Sequence, residues 1–283
     1  MTCRRAPGRE RAFDLATPPP RGHDALVLRA FSFVYWAFAV VTMPLLFLGA
    51  LLVFLVTVPF DRRRVAVHLY SCAWASFYVV ANPLWRERFE GREKLPWKGA
   101  AVLAANHLSM LDILVVYGLF RPFKWVSKIE IFRVPCVGWN MWLNDYVAIR
   151  RGDRDSIRQM MAHCRAHLAR GSPIMIFPEG TRSRDGRLQP FKEGAFRLAF
   201  EARCPIIPIA VTGTGDALPK NGLVLRSRMQ ARVRVLDPID ATAFPSPEAL
   251  RDATHAALAA ALPEANRPAP RTPPAPERAP EAG

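Results

Sequence analysis

Cysteine is scarce in this sequence and is not arranged in a pattern that binds metal or forms a disulfide framework. The five cysteines are odd in number, scattered and without a C-x-x-C pair: Cys3, Cys72, Cys136, Cys164 and Cys204. Such cysteines are typical of reduced, mostly buried residues in a cytosolic compartment. His163 and His167 have the helical spacing of a metal pair, but the glutamate of an HExxH motif and a third ligand are both lacking, so we predict no metal site.

Acidic residues are also in short supply. The chain of 283 residues has 24 Asp and Glu against 39 Lys and Arg, which gives a formal net charge of +15. This excess suits a nucleic acid, an anionic membrane surface or a phosphorylated substrate, and charge alone does not choose among them. The sequence has no zinc-finger spacing, basic zipper or RNP-type aromatic motif, and its hydrophobic content of 51% argues against a nucleic-acid partner.

What the sequence does have is a long apolar run near its N-terminus. Residues 30–60 are almost wholly apolar and exceed the roughly 20 residues required to cross a bilayer, so we predict a membrane segment. Pro44 and Gly49 favour a break into two short helices, neither long enough to span comfortably. Because basic residues flank both ends, the positive-inside rule favours a segment that enters the membrane and returns on the cytoplasmic side. A single tilted span is the alternative.

Composition divides the chain into four parts. We predict a disordered basic tail at residues 1–24, a membrane-anchoring helical region at 25–83, one catalytic domain at 84–262, and a disordered tail rich in Pro and Ala at 263–283. Residues 65–83 are apolar and aromatic, and suit either the membrane interface or packing on the catalytic domain. Residues 84–98 carry alternating charges and Pro96, which are typical of a surface connection.

Strand and helix signals alternate through the catalytic domain. Strands are predicted at residues 101–105, 123–127, 145–149, 174–177, 206–211 and 231–236. Helices are predicted at residues 109–119, between 153 and 171, and at 192–203 and 246–262. This alternation is typical of an α/β fold with a mostly parallel sheet flanked by helices, here preceded by a membrane-embedded helical segment. The strand at 231–236 alternates arginine with valine and is therefore placed near an edge.

The apolar strand at residues 101–105 stops abruptly at Asn106 and His107, just before a predicted helix. Ligands of open α/β sheets bind outside the carboxyl ends of the strands, where His107 is placed to accept a proton. Asp112 can orient His107 only if the histidine lies outside the helix, since five residues along a helix separate two side chains by about 140°. The segment from Ser109 to Asp112 is also a capping box, and the two roles of Asp112 are compatible.

Four sequence blocks in order carry a resemblance to a known family. They are Asn106-His107-x4-Asp112; Lys128-Ile-Glu-Ile-Phe-Arg-Val-Pro-Cys-Val-Gly-Trp139 with Ile149-Arg150; Phe177-Pro-Glu-Gly-Thr-Arg-Ser183; and Cys204-Pro-Ile-Ile-Pro-Ile-Ala-Val211. Together these blocks resemble the glycerolipid acyltransferase family. The resemblance implies transfer of a fatty acyl group to a hydroxyl, with His107 as general base held by Asp112, and with neither a covalent acyl-enzyme nor a cofactor.

The resemblance also implies a binding site for a phosphorylated acceptor. Its candidate residues are Glu179, Gly180, Thr181, Arg182, Lys128 and Arg150. Arg182 can hold two phosphate oxygens at once, Gly180 permits close approach of the backbone, and Glu179 can hold a hydroxyl or fix Arg182. Without the resemblance, this segment would be read as a turn with a surface arginine.

The family further implies the partners and the location. The donor is expected to be acyl-CoA or an acyl-carrier protein, and the acceptor a lysophospholipid, first of all the sn-2 hydroxyl of lysophosphatidic acid. The catalytic domain is expected at the cytoplasmic face of the cell inner membrane, in contact with membrane lipids. Alternative acceptors are another lysolipid, such as a lyso-ornithine lipid, or glycerol-3-phosphate. A membrane-anchored module that binds anionic lipid without catalysis is the alternative outside enzymes.

Overall fold

The computed structural model describes residues 22–215, 217–218, 224–225 and 228–269. The strands are β1 (Trp85–Glu90), β2 (Val102–Ala105), β3 (Lys124–Lys128), β4 (Val147–Ile149), β5 (Ile174–Ile176), β6 (Ile206–Thr212) and β7 (Met229–Val235). The α-helices are α1 (Gly22–Thr57), α2 (Val65–Ala81), α3 (Leu111–Tyr117), α4 (Val137–Leu143), α5 (Arg154–Ala169), α6 (Gly194–Glu201) and α7 (Pro247–Ala261). Most of each predicted tail, namely residues 1–21 and 270–283, lies outside the described residues.

The seven described strands form one sheet in the order β1-β7-β6-β2-β5-β3-β4, in which only the β6–β7 pair is antiparallel. The central strand β2 is buried on both faces, which explains its unbroken apolar sequence. Leu103 and Ala105 belong to the core that contains residues of α2 and α3, whereas Val102 and Ala104 belong to the core with α5, α6 and α7. The prediction of an α/β fold with a mostly parallel sheet is therefore confirmed.

The segment at residues 84–98, expected to be a surface connection, instead contains strand β1 at the edge of the sheet. β1 pairs in parallel with β7, in register from Trp85 beside Met229 to Glu90 beside Arg234. Glu90 also forms ion pairs with Arg234 at 2.9 Å and Arg232 at 3.6 Å. The charges resemble those of a loop, but they occupy the exposed positions of an edge strand, where polar residues discourage further pairing.

The apolar N-terminal segment forms one continuous helix, so the predicted break at Pro44 and Gly49 is wrong. At roughly 1.5 Å per residue, the 36 residues of α1 extend over about 54 Å. Helix α2 runs antiparallel along α1 and packs on both sides of the proline. The Tyr35 hydroxyl donates to the carbonyl of Tyr78 at 3.0 Å, and the Arg64 guanidinium lies 4.5 Å from the centre of the Phe54 ring. This packing stabilises α1 across the position where its own hydrogen-bonding is interrupted.

Helix α2 packs on the catalytic domain, which decides between the two interpretations of residues 65–83. Its buried residues include Val67, His68, Ser71, Cys72 and Val79. Ser71 accepts hydrogen bonds from the side-chain amides of Asn140 and Asn144, at 3.0 Å each. The chain from α2 onwards thus forms a continuous body, and α1 lies along its outer side.

The C-terminal helix α7 begins as predicted, with Ser246 accepting a hydrogen bond from the Ala249 N–H at 3.3 Å and Pro247 in the first turn. The predicted tail starts at Pro263, whereas the structure continues into a 3-10 turn at Glu264–Asn266. Asn266 accepts from the Leu188 N–H at 2.9 Å and donates its side-chain amide to the Gly186 carbonyl at 2.8 Å. These bonds hold the first residues of the predicted tail on the domain.

His68 provides a prediction about pH and stability. Its Nε2 lies 2.9 Å from the Arg121 carbonyl and must donate, so Nδ1 accepts from the Tyr146 hydroxyl at 2.7 Å and the ring is neutral. Burial, with the nearby charge of Lys124, lowers the pKa of His68 to about 3. Between pH 6 and 4 the unfolded chain binds a proton there and the folded chain does not. The free energy of unfolding should therefore fall as pH falls, by up to about 1.4 kcal/mol per unit from this group.

The variant His68→Gln tests this contribution because glutamine can donate to one partner and accept from the other. Urea unfolding in detergent, measured between pH 4 and 6, should give a pH slope shallower than that of the unmodified chain by about one proton. Equal slopes for the two proteins would contradict the assignment of a neutral, buried His68.

Candidate active site

Asn106 fixes the point at which the chain leaves the central strand. Its buried side-chain amide donates to the Val211 carbonyl and accepts from the Val211 N–H, both at 2.8 Å. The side chain thereby continues the pairing of β2 with β6 for one more residue. His107 follows immediately, at the edge of the sheet where the parallel strands end. This is the edge at which open α/β sheets bind ligands.

His107 and Asp112 meet, with 2.8 Å between Nδ1 of the histidine and Oδ2 of the carboxylate. The contact is possible because α3 starts only at Leu111, which leaves His107 outside the helix. The ionised carboxylate is an acceptor, so Nδ1 carries the proton and Nε2 of the neutral ring has a lone pair. With 13% of its side chain exposed, His107 can meet a ligand, whereas Asp112 is fully buried.

The buried charge of Asp112 is held by four hydrogen-bond donors. Oδ2 accepts from the N–H groups of Leu108 at 2.6 Å and Ser109 at 2.8 Å as well as from His107, and Oδ1 accepts from the Thr214 hydroxyl. The capping and the orienting role therefore occur at the same carboxylate. Isolated buried charges are costly, and these donors replace the water that Asp112 has lost.

Phe177 holds the plane of the His107 ring. The two rings are stacked with centroids 4.0 Å apart and planes inclined by 11°, and the Trp125 ring lies 5.4 Å beyond Phe177. Phe177 is the first residue after β5, the neighbour of β2 in the sheet. The imidazole is thus fixed at its edge by a carboxylate and at its face by an aromatic ring.

The segment from Phe177 to Ser183 forms two hydrogen bonds with the His107 backbone. Glu179 accepts from the His107 N–H at 2.6 Å with one oxygen and from the Gln189 N–H at 3.1 Å with the other. Ser183 donates its N–H to the His107 carbonyl at 2.8 Å. Burial raises the pKa of Glu179 to about 7, against the lowering effect of these two N–H groups. Thr181 and Arg182 lie between the two attachments, so the segment is brought beside the histidine.

Gly180 allows a lysine side chain to pass closely over this segment. The residue has a φ of +70°, and a Cβ placed on it would lie 2.8 Å from Cε and 3.0 Å from Nζ of Lys192. The Lys192 N–H also donates to the Pro178 carbonyl at 2.8 Å. Lys192 is therefore a cation beside the segment that also carries Arg182.

Lys128 and Arg150 lie at the same edge of the sheet but farther from His107. Lys128 ends β3 and Arg150 follows β4, which are two and three strands away from β2. With about 4.8 Å between strands, their backbones are about 10 and 14 Å from that of the central strand. Arg150 donates its N–H to the Ser156 hydroxyl at 2.8 Å, and its guanidinium lies 3.5 Å from Asp153.

Three residues of this site were not assigned a role from the sequence: Thr214, Phe177 and Lys192. Thr214 follows strand β6 as a polar residue at the carboxyl edge, which is the signal that identified His107. Phe177 has the same position after β5, but an aromatic residue there is equally typical of the core. No sequence pattern relates Lys192 to Gly180, because their proximity depends on the course of the chain between them.

Comparisons with known proteins identify the family of the chain. A family model described as Acyltransferase matches residues 86–212. A 1-acyl-sn-glycerol-3-phosphate acyltransferase of Chlamydomonas reinhardtii is 39% identical over 194 residues, covering 68% of this chain and 57% of that protein. One of Limnanthes douglasii is 30% identical over 220 residues, covering 76% of this chain and 75% of that protein. The chain belongs to the acyltransferase family, which confirms the resemblance carried by the four sequence blocks.

The fold is shared with a solved structure. The crystal structure of the 1-acyl-sn-glycerophosphate acyltransferase PlsC from Thermotoga maritima matches with a TM-score of 0.65 at 23% identity, covering 83% of this chain and 92% of that one. The chain spans 57%, 52% and 49% of the Chlamydomonas relative and of two chloroplastic relatives, from Brassica napus and Arabidopsis thaliana. It thus corresponds to about half the length of these plant and algal proteins.

Proposed function

We propose that this protein transfers a fatty acyl group from acyl-CoA or an acyl-carrier protein to the sn-2 hydroxyl of lysophosphatidic acid, forming phosphatidic acid. The observation that carries the proposal is the His107–Asp112 pair at the open edge of the sheet, directly beside the cation-bearing segment from Phe177 to Ser183. A base and a phosphate-binding segment in contact suit an acceptor that has a hydroxyl and a phosphate close together. The names of the relatives agree with this choice of acceptor.

His107 acts as a general base in the proposed reaction. The acceptor hydroxyl attacks the thioester carbonyl carbon while Nε2 takes its proton, and Asp112 stabilises the imidazolium that forms. The tetrahedral intermediate then expels the thiolate, which takes the proton from the imidazolium. Proton transfer by a positioned group of this kind contributes on the order of 10² to 10⁴ in rate. No acyl-enzyme forms in this sequence of steps.

The oxyanion of the intermediate is stabilised by cationic side chains in this scheme. The backbone N–H groups of His107, Leu108 and Ser109, just before α3, already donate to carboxylates. Lys192 and Lys128 are the lysines at this edge that we assign to the thioester oxygen in this scheme. Preorganised charges at such a position contribute strongly to acyl transfer in enzymes.

The variant His107→Ala tests the reaction and the base together. Phosphatidic acid formation by purified, detergent-extracted protein should fall by roughly 10² to 10⁴ with either donor, because the proton of the hydroxyl has no acceptor. His255→Ala, which removes a histidine on α7, is the matched control and should retain activity.

The acceptor panel separates the alternatives. Product from a lyso-ornithine lipid or glycerol-3-phosphate, with none from lysophosphatidic acid, would replace the proposed acceptor. Absence of transfer to every acceptor, with lipid binding intact, would favour the non-catalytic lipid-binding module. Undiminished transfer by His107→Ala would refute the proposed base.

Arg182 is proposed to bind the acceptor phosphate. Arg182→Ala should raise KM for lysophosphatidic acid by roughly 10- to 100-fold, as expected for loss of a charge-assisted pair. Arg184→Ala, the same change of charge two residues away at an exposed position, should have little effect. Arg182→Ala should raise KM much less for an acceptor without phosphate, such as monoacylglycerol. Equal losses with both acceptors would contradict the assignment.

We further propose that the protein is embedded in one leaflet of the inner membrane by α1, with the catalytic domain on the cytoplasmic face. By length and composition, α1 is able to cross a membrane, with a mean hydropathy of 2.7 in an 18-residue window within Leu26–Thr57. However, one side of α1 packs along α2 from Tyr35 to Phe54, and α2 is part of the domain. A span would carry α2 and its polar neighbours into the hydrocarbon, at a high cost in unsatisfied polar groups.

The exposed side of α1 suits this placement. Its large apolar side chains are between 55% and 74% exposed at positions such as Phe33, Val41, Leu45 and Leu52. Trp139 and Trp142 of α4 are also half-exposed, and Trp139 packs against Phe47 of α1 with ring centroids 5.4 Å apart. An apolar helix bordered by tryptophan is typical of a segment at the depth of the headgroups.

Cys3 is a natural probe of this topology. The other four cysteines are buried, so an impermeant maleimide should label Cys3 selectively, and Cys3→Ser should abolish the labelling. Embedding in one leaflet predicts labelling only in inside-out vesicles, where the cytoplasmic face is accessible. An added Arg62→Cys in the Cys3→Ser background marks the side of the catalytic domain. Labelling of Cys3 and of residue 62 from opposite sides would establish the single span instead.

A further inference from the structure

Two histidines and an aspartate meet at the edge of the sheet opposite the candidate active site. Asp145 lies in the turn between α4 and β4, two residues before the strand begins, whereas His163 and His167 lie on α5. β4 is parallel to β3, and its other end leads to Arg150 at the active-site edge. The cluster is therefore separate from the His107 site and plays no part in the proposed acyl transfer.

The ligand atoms of this cluster have the spacing of a metal site. Oδ1 of Asp145 lies 3.2 Å from Nε2 of His163, and Oδ2 lies 3.7 Å from Nε2 of His167. One ligand atom from each residue can be chosen so that all lie within 4.8 Å of one another. Bonds of about 2.0 to 2.1 Å to a tetrahedral zinc ion place its ligands about 3.3 Å apart. The third ligand that the sequence does not reveal beside His163 and His167 is thus supplied by a distant residue.

His167 shows that ion pairing alone does not satisfy the cluster. Its side chain is 2% exposed, and its Nε2 has no hydrogen-bond partner among the described residues. The 3.7 Å to Asp145 is too long for a hydrogen bond. A buried polar atom without a partner is costly, and a metal ion would satisfy it directly.

The surroundings permit a cation to enter. The side chains of His163 and Asp145 are both 39% exposed, which leaves the cluster open to solvent and to a water ligand. Two cations face it: Arg170 lies 4.0 Å from Asp145, and buried Lys124 donates to the Asn144 carbonyl. Arg170 is 57% exposed and can swing into solvent. Burial lowers the pKa of Lys124 to about 7, which reduces its charge at neutral pH.

We propose that Asp145, His163 and His167 bind a divalent transition-metal ion of the zinc class, with water completing the coordination. The bound ion would join α5 to the turn before β4 and stabilise the fold at a distance from the active site. Imidazole and carboxylate ligands in this number are typical of zinc, and the open position admits solvent.

The test uses the full chain, in detergent, without an affinity tag and stripped of metal. Titration with Co²⁺ should give a visible absorption band that saturates at one equivalent and is displaced by Zn²⁺. Zn²⁺ should also raise the melting temperature. His163→Gln and Asp145→Asn should each weaken binding at least 10-fold and abolish the shift in melting temperature.

The variants are chosen to preserve folding. Both positions are half-exposed, and asparagine tolerates the φ of 55° at Asp145, so neither change should prevent folding. His255→Gln and His107→Ala are controls and should bind as the unmodified chain does, which separates this site from the proposed catalytic one. The proposal would be overturned if binding did not saturate at one equivalent, or if His163→Gln and Asp145→Asn bound the metal with the affinity of the unmodified chain.

Discussion

The candidate site depends on one buried negative charge. The Asp112 carboxylate accepts from the His107 ring and the N–H groups of Leu108 and Ser109, which lie in the segment before α3, and from the Thr214 hydroxyl, which follows β6. Removing any donor would leave a buried charge partly unsatisfied, which is costly in a medium of low dielectric. The start of α3, the end of β6 and the histidine are therefore held in a single arrangement. Glu179 does the same on the other side of His107, where it joins the strand end to the segment after β5.

The positions of some site residues were predictable, because their surroundings are set by their neighbours in the sequence. The uninterrupted apolar sequence of β2 followed by Asn106 and His107 indicates a buried strand that ends at a functional edge, and the five-residue spacing to Asp112 is satisfied once the helix starts late. Parallel strands bring their carboxyl ends to one edge, which is where the segment after β5 meets the histidine. From the sequence, only the family resemblance related these two segments.

Contacts between distant parts of the chain were not predictable in the same way. The charges of β1 indicate a strand only when β7 lies beside it, and Pro44 lies inside a continuous α1 along which α2 packs. Thr214 reaches Asp112 across 102 residues, and Asp145 reaches His163 across a turn, a strand and most of a helix. In each case the local pattern admits more than one structure, and tertiary packing selects among them.

The ring of Phe177 has a further consequence for the chemistry of the histidine. Its face lies 4.0 Å from the imidazole, nearly parallel to it. The face of an aromatic ring has a negative quadrupole and attracts cations, so the stacked phenyl group interacts more favourably with imidazolium than with imidazole. The contact that fixes the resting geometry is thus stronger after the proton has moved. Interactions that strengthen only as charge develops lower a barrier, whereas those of constant strength do not.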